Sequence, residues 1–138
     1  MDFIRDYLAL RSYASKLERS DRVYDAFRRT FADIGSDIEA LEQLLVELLR
    51  RGRQYASFAV GGGDMERARA FANLRRLGDV PAILVMRLLE AQETSKTLSE
   101  GDLLDAVGLL ESYLLRRAVI GAQTRGYGVE FTKLAQKI

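Results

Sequence analysis

Apolar positions recur at helical spacing along the whole chain. Phe3, Ile4, Tyr7, Leu8 and Leu10 mark a first helix. Ser20 reads as the N-cap of a second, with Val23, Phe27, Phe31 and Ile34 on one face and Gly35 ending it. Ser36-Asp-Ile-Glu39 has the spacing of a capping box and opens a long helix over residues 37–58. In that helix Ile38, Leu41, Leu45, Leu48, Gly52 and Tyr55 follow a 3-4-3-4 pattern, widened by Leu44 and Leu49. Fewer than three heptads with a glycine in the seam predict a bundle helix rather than an isolated coiled coil.

Gly61-Gly-Gly-Asp64 interrupts the pattern, so residues 60–64 read as a flexible glycine linker. Asp64 is placed to cap a fourth helix carrying Ala68, Phe71, Leu74 and Leu77, which Gly78 stops. Asp79 and Pro81 start a fifth, whose run from Ala82 to Met86 is apolar on all sides and therefore belongs in the core. Ser99-Glu-Gly-Asp102 is a second capping box. It leads a helix to about residue 120 with Leu103, Val107, Leu110, Leu114 and Ala118 inward and Gly121 at its end. A short last helix is expected over residues 129–138. No stretch alternates apolar and polar residues between turns, so strands are not expected. The prediction is an all-α fold, a single helical bundle domain of about seven helices spanning residues 1–138.

Composition narrows the chemistry. The chain has 138 residues, 48% hydrophobic and 30% charged, with a net charge of +1, which fits one folded domain rather than a disordered segment. It has neither Cys nor His. That removes disulfides, thiolate nucleophiles, the usual zinc sites and every catalytic dyad that relies on imidazole. The longest apolar run, seven residues ending at Met86, is far short of the ~20 needed to span a bilayer, and acidic and basic residues break up the amino-terminal stretch. No membrane association and a cytoplasmic location are expected.

The remaining candidate sites are weak. The glycine run lacks the preceding strand and the following Lys-Ser/Thr of a phosphate loop, and Asp64 would repel phosphate. Asp2/Asp6 and Asp21/Asp25 are i,i+4 carboxylate pairs, but Arg5 and Arg22 stand beside them, so surface ion pairs explain them better than a metal. No Glu-x-Lys or Asp-x-Lys occurs, which excludes the common nuclease core. Basic residues are 17 Arg against 4 Lys, and the doublets Arg28-Arg29, Arg50-Arg51, Arg75-Arg76 and Arg116-Arg117 fall near helix C-termini, where cations offset the helix dipole. The 20 carboxylates scattered among them argue against a single DNA-phosphate face.

Phe3-Ile-Arg-Asp-Tyr-Leu-Ala-Leu10, Asp21-Arg-Val-Tyr-Asp-Ala-Phe27 and Glu111-Ser-Tyr-Leu-Leu-Arg-Arg-Ala-Val-Ile-Gly121, continuing to Phe131 and Leu134, together resemble the helical middle of GmrSD-type restriction endonucleases. The resemblance is poorest between Ser57 and Asp79, and the family pattern is departed from at Gln123 and Gly128. In that family an Asp-Gly-Gln-Gln-Arg motif upstream is linked to nucleotide-dependent action, and an HNH nuclease site often lies downstream. Neither motif occurs here. The resemblance therefore implies an interior segment: a non-catalytic connecting domain, without catalytic, cofactor or metal residues of its own. Its parent would be a nucleotide-dependent endonuclease using a nucleoside triphosphate and a divalent metal against modified foreign DNA.

The positions that match the family pattern are Arg5, Asp6, Tyr7, Tyr24, Phe27, Tyr113, Arg116 and Arg117. Packing, ion pairing and domain docking are their implied roles, with Arg5, Arg116 and Arg117 as candidate docking or phosphate contacts. Partners would be the rest of the polypeptide and, through the parent, DNA; a homodimer is open. The alternative reading is a free-standing helical protein-interaction module.

Two packing expectations complete the reading. The helix over residues 100–120, apolar on more than one face, should be the most buried and should lie on residues 82–89. Since neighbouring helical residues point about 100° apart, one of Arg116 and Arg117 should pair inside the domain, with Asp6 or Asp25 as partner.

Overall fold

The computed structural model describes residues 2–12, 18–123 and 126–138. Among them are seven α-helices and no strand, as the periodicity requires: α1 (Asp2–Ser12), α2 (Val23–Thr30), α3 (Ile38–Ala56), α4 (Met65–Arg75), α5 (Ala82–Glu93), α6 (Glu100–Val119) and α7 (Tyr127–Ala135). None is long and apolar enough to cross a membrane.

The helix starts reward some caps and displace others. Asp64 caps α4 by accepting from the Arg67 N–H at 2.8 Å. Ser99 and Asp102 form the expected capping box on α6, each side chain taking the other's backbone N–H. Ahead of α3 the cap is Asp37, which accepts from the Ala40 N–H, and Ser36–Glu39 forms no box. The reason lies upstream: the Asp37 N–H still donates to the Ile34 carbonyl at 3.0 Å, so the preceding turn runs one residue longer than the pattern suggested. Ser20 is not a cap either; it lies in a 3₁₀ turn (Ser20–Arg22) that feeds α2. Pro81 itself takes the N-cap of α5, and Asp79 contributes only its backbone carbonyl, to Ala82.

The glycine stretch is shorter as a connection than residues 60–64. After α3 the chain continues as a π turn (Ser57–Gly61), Asp64 already caps α4, and Gly62 and Gly63 alone lie between. Gly63 has φ +95°, and a Cβ there would come within 2.8 Å of the Arg67 side chain, so glycine is needed at this corner. The π turn carries Phe58 into the core, 1% exposed, with its ring edge-on to Phe71 at 5.7 Å.

Packing centres on α5. Ala82, Ile83, Leu84, Val85, Met86, Leu88, Leu89 and Ala91 are all buried. Around α5 the main core collects Phe58, Phe71, Leu74, Leu103, Val107, Leu110, Leu114, Tyr127, Phe131 and the end of α1. A smaller core joins Tyr7 and Leu8 of α1 to Val23, Ala26 and Leu44. The expectation that residues 100–120 would be the most buried is overturned: α6 buries Leu103, Val107, Leu110 and Leu114, whereas Leu109, Leu115 and Ala118 are exposed. Its apolar width exceeds what its neighbours cover. The α3 seam turns inward only in its later half, where Leu48 packs on the smaller core, Tyr55 on the main one and Gly52 beside Phe3. Ile38, Leu41, Leu45 and Leu49 face solvent, and α3 buries Leu44 and Gln54. The final helix begins at Tyr127, earlier than expected, and ends at Ala135.

This arrangement predicts opposite outcomes for two leucines. Leu89→Ala removes a side chain with no solvent exposure and should lower unfolding free energy by about 2–5 kcal/mol in denaturant titration. Leu109→Ala, 73% exposed on α6, should stay within about 0.5 kcal/mol of the parent.

Candidate functional site

The eight family-pattern residues fall in two separate regions, which share no hydrogen bond, ion pair or ring contact among the described residues. Arg5, Asp6, Tyr7, Tyr24 and Phe27 lie on α1 and α2. Asp6 is only 3% exposed, and the Arg5 Nε donates to it at 3.2 Å while Arg5 also reaches Asp2 at 3.3 Å. Burial pushes the Asp6 carboxyl up to about 6, with Arg5 opposing and Asp2 and Asp79 adding to the rise. Tyr7 is buried, its ring stacked on Phe31 at 6.3 Å, and its hydroxyl accepts from Arg11 at 3.4 Å. Phe27 packs on Phe31 at 4.6 Å. Tyr24 is exposed, with Arg28 over its ring.

The second region closes the α6–α7 corner. The Arg117 Nε donates to the Tyr127 hydroxyl at 2.7 Å, and the guanidinium lies 5.7 Å from the Tyr113 ring centroid and 5.1 Å from that of Tyr127. The expected pairing of Arg116 or Arg117 with Asp6 or Asp25 does not occur. Arg117 faces tyrosines instead of carboxylates, Arg5 is the ion-pair partner of Asp6, and Arg116 is exposed without an ion-pair partner among the described residues. Arg117 so clasps α7 to α6 through a cation between two aromatic rings. Beside the clasp an open groove of about 390 Å³ runs between α5, α6 and α7, walled by Leu84, Leu88, Leu109, Leu110, Phe131 and Leu134, with Glu130 and Lys137 at its rim.

A polar ladder that the periodicity left unread ties the bundle together. Glu90 accepts from Arg51 and Arg87 at 2.6 Å each, and Arg50 lies 3.5 Å away. Arg87 continues to the Ala135 carbonyl at 3.3 Å, linking α7. Gln54, 2% exposed, bridges Arg51 and Glu93, and Arg67 spans Glu93 and Glu100. Burial alone would raise the Glu90 carboxyl, but Arg51 and Arg87 outweigh it and hold it below its ordinary value. Only the i,i+3 spacing of Arg87 and Glu90 was visible in sequence; the partners from α3 and α7 are not near in the chain.

The ladder and the clasp also account for much of the arginine surplus. In each doublet at least one member contacts its own domain: Arg28 on Tyr24, Arg29 to Glu18, Arg50 and Arg51 to Glu90, Arg75 to the Ala59 carbonyl, and Arg117 to Tyr127. Three of the four i,i+4 carboxylates are likewise engaged, Asp2 and Asp6 with Arg5 and Asp21 with Arg19 at 3.2 Å, whereas Asp25 makes no ion pair among the described residues. Among the described residues no three acidic side chains converge where they could hold a metal ion. Comparison with protein-family models, with curated proteins and with solved structures finds no match to this chain.

Asp6 and Glu90 should give stability opposite pH signatures. Asp6 keeps its proton in the folded state up to about pH 6, whereas an unfolded aspartate releases it near 3.8, so its contribution falls as pH rises through that window. The melting temperature of Asp6→Asn relative to the parent should climb between pH 4 and 6 and then level. Glu90, held below its ordinary value, contributes most above the normal carboxylate range and loses that contribution as pH falls through its lowered value. Glu90→Gln should therefore show its largest deficit near neutrality and approach the parent in acid, read by the same melting series.

Proposed function

We propose that this chain is the non-catalytic helical connecting domain of a GmrSD-type, modification-dependent restriction endonuclease, a cytoplasmic scaffold between nucleotide-driven and nuclease parts that act on modified foreign DNA. The observation that carries the reading is the α6–α7 corner. One of the three stretches that carry the resemblance, residues 111–121 with Phe131 and Leu134, falls within this one unit, where Arg117 clasps Tyr113 and Tyr127 beside an open apolar groove.

In this role the domain supplies rigidity. The Arg117 clasp fixes α7 against α6, the Glu90 ladder fixes α3 and α7 against α5, and the groove offers an apolar seat to another part of the same polypeptide. The nucleoside triphosphate and divalent metal belong to the parent's other domains, and DNA is engaged through the parent. The alternative, a free-standing helical interaction module, draws support from one observation, the bare apolar stripe on α3.

Cells carrying the full open reading frame that encodes this chain should plate phage with hydroxymethylated or glucosylated cytosine at least tenfold less efficiently, and phage with unmodified DNA normally. Arg117→Ala should erase that difference while the protein still accumulates. The purified 138-residue chain, given modified or unmodified DNA, magnesium or manganese and each nucleoside triphosphate, should turn nothing over. Cleavage or hydrolysis that follows this chain through purification overturns the scaffold reading. An open reading frame without an Asp-Gly-Gln-Gln-Arg stretch selects the interaction module.

A further inference from the structure

We propose that α3 is a self-association surface: it pairs antiparallel with α3 of a second copy of this chain, about a two-fold axis near Leu45. Ile38 is 80% exposed, Leu45 58%, Val46 63% and Leu49 57%, with Leu41 at 45%. At 100° and 1.5 Å per residue Ile38, Leu41, Leu45 and Leu49 gather into one stripe about 16 Å long, with Val46 beyond Glu42 at its edge. The core-facing side of the helix is already committed, with Leu44 and Gln54 buried and Arg51 paired to Glu90. A contiguous bare apolar stripe on an otherwise polar helix surface marks a contact site.

Charge decides the partner and its direction. Glu39 and Glu42 border the amino-terminal half of the stripe, and Arg50 and Arg53 border the carboxyl-terminal half on the same edge of the helix. Glu39, Glu42 and Arg53 make no ion pair among the described residues, and Arg50 has only its 3.5 Å approaches to Glu90 and Thr94. A parallel pair would set Glu beside Glu and Arg beside Arg. An antiparallel pair sets each acidic half against the basic half of the other copy and packs Leu45 on Leu45 and Leu41 on Leu49 across the axis. The same patch meets itself, so the contact closes at two copies. A helix pair this short buries less than the ~800 Å² per partner of a standard interface, which makes the dimer a reversible one at micromolar concentrations.

Sedimentation velocity of the 138-residue chain from about 5 to 300 µM should show a monomer–dimer equilibrium. Leu45→Glu should weaken it at least tenfold with helicity unchanged by circular dichroism, because that side chain is already in solvent. Glu42→Arg and Arg53→Glu should each weaken the dimer, and the double exchange should recover at least part of the loss. The chain has no cysteine, so single-cysteine variants report orientation: Leu45→Cys should cross-link copy to copy under mild oxidation and Ile38→Cys should not. A chain that stays monomeric at 300 µM overturns the proposal. So does a dimer that survives Leu45→Glu but is lost in Leu109→Glu, which would move the interface to the α5–α7 groove, or equal cross-linking of both cysteine variants, which would mean a parallel pair.

Discussion

A helical stretch with no solvent side must be surrounded, and the first half of α5 imposes that condition on the rest of this chain. Its first five residues are wholly apolar and all buried, so neighbours have to close over it from every direction. The end of α1, Phe58 from the π turn, Phe71 and Leu74 of α4, the inward row of α6, and Phe131 and Ala135 of α7 supply that cover. With α5 in the centre, the other helices each need only one buried stripe, which is why α3 and α6 keep broad apolar surfaces in solvent.

The carboxyl-terminal end of α5 meets a different requirement. Glu90 emerges where apolar cover gives way, and a carboxylate with 13% of its side chain exposed needs charged partners close by. Arg51 comes from α3 and Arg87 from one turn earlier on α5, and Arg87 carries the link on to the last turn of α7. The ladder then runs through Gln54, Glu93, Arg67 and Glu100 to α4 and α6. The apolar half of α5 thus fixes what packs around it, and the polar half fixes the register in which four other helices meet it.

The family-pattern residues occupy two different kinds of place. Asp6 and Tyr7 are interior residues whose effect is on stability, while Arg117 with Tyr113 and Tyr127 shapes a surface corner next to the apolar groove. The proposed connecting role would need both, since a docking corner is useful only if the body behind it does not shift. The bare face of α3 is a separate surface from that corner, so the two proposed contacts, with a second copy and with other domains, would not compete for the same residues.

By itself the sequence determined the fold class, the existence and order of the seven helices, the caps at Asp64 and Ser99, and the burial of residues 82–86. These are decisions made within one or two turns of chain: a 3.6-residue period, a side-chain oxygen within reach of a nearby N–H, a run with no polar side. Tertiary structure alone decided which of several apolar faces turns inward. Leu45 and Leu109 read as well as Leu44 and Leu110 in the pattern, and only the space around α5 chooses between them. The partners of Arg117, Glu90 and Arg67 were also beyond the sequence. Apart from Arg87 and Glu90, these bonds join residues 10 to 40 positions apart, and a guanidinium donates to a phenol, a carbonyl or a carboxylate, whichever the packing brings to it.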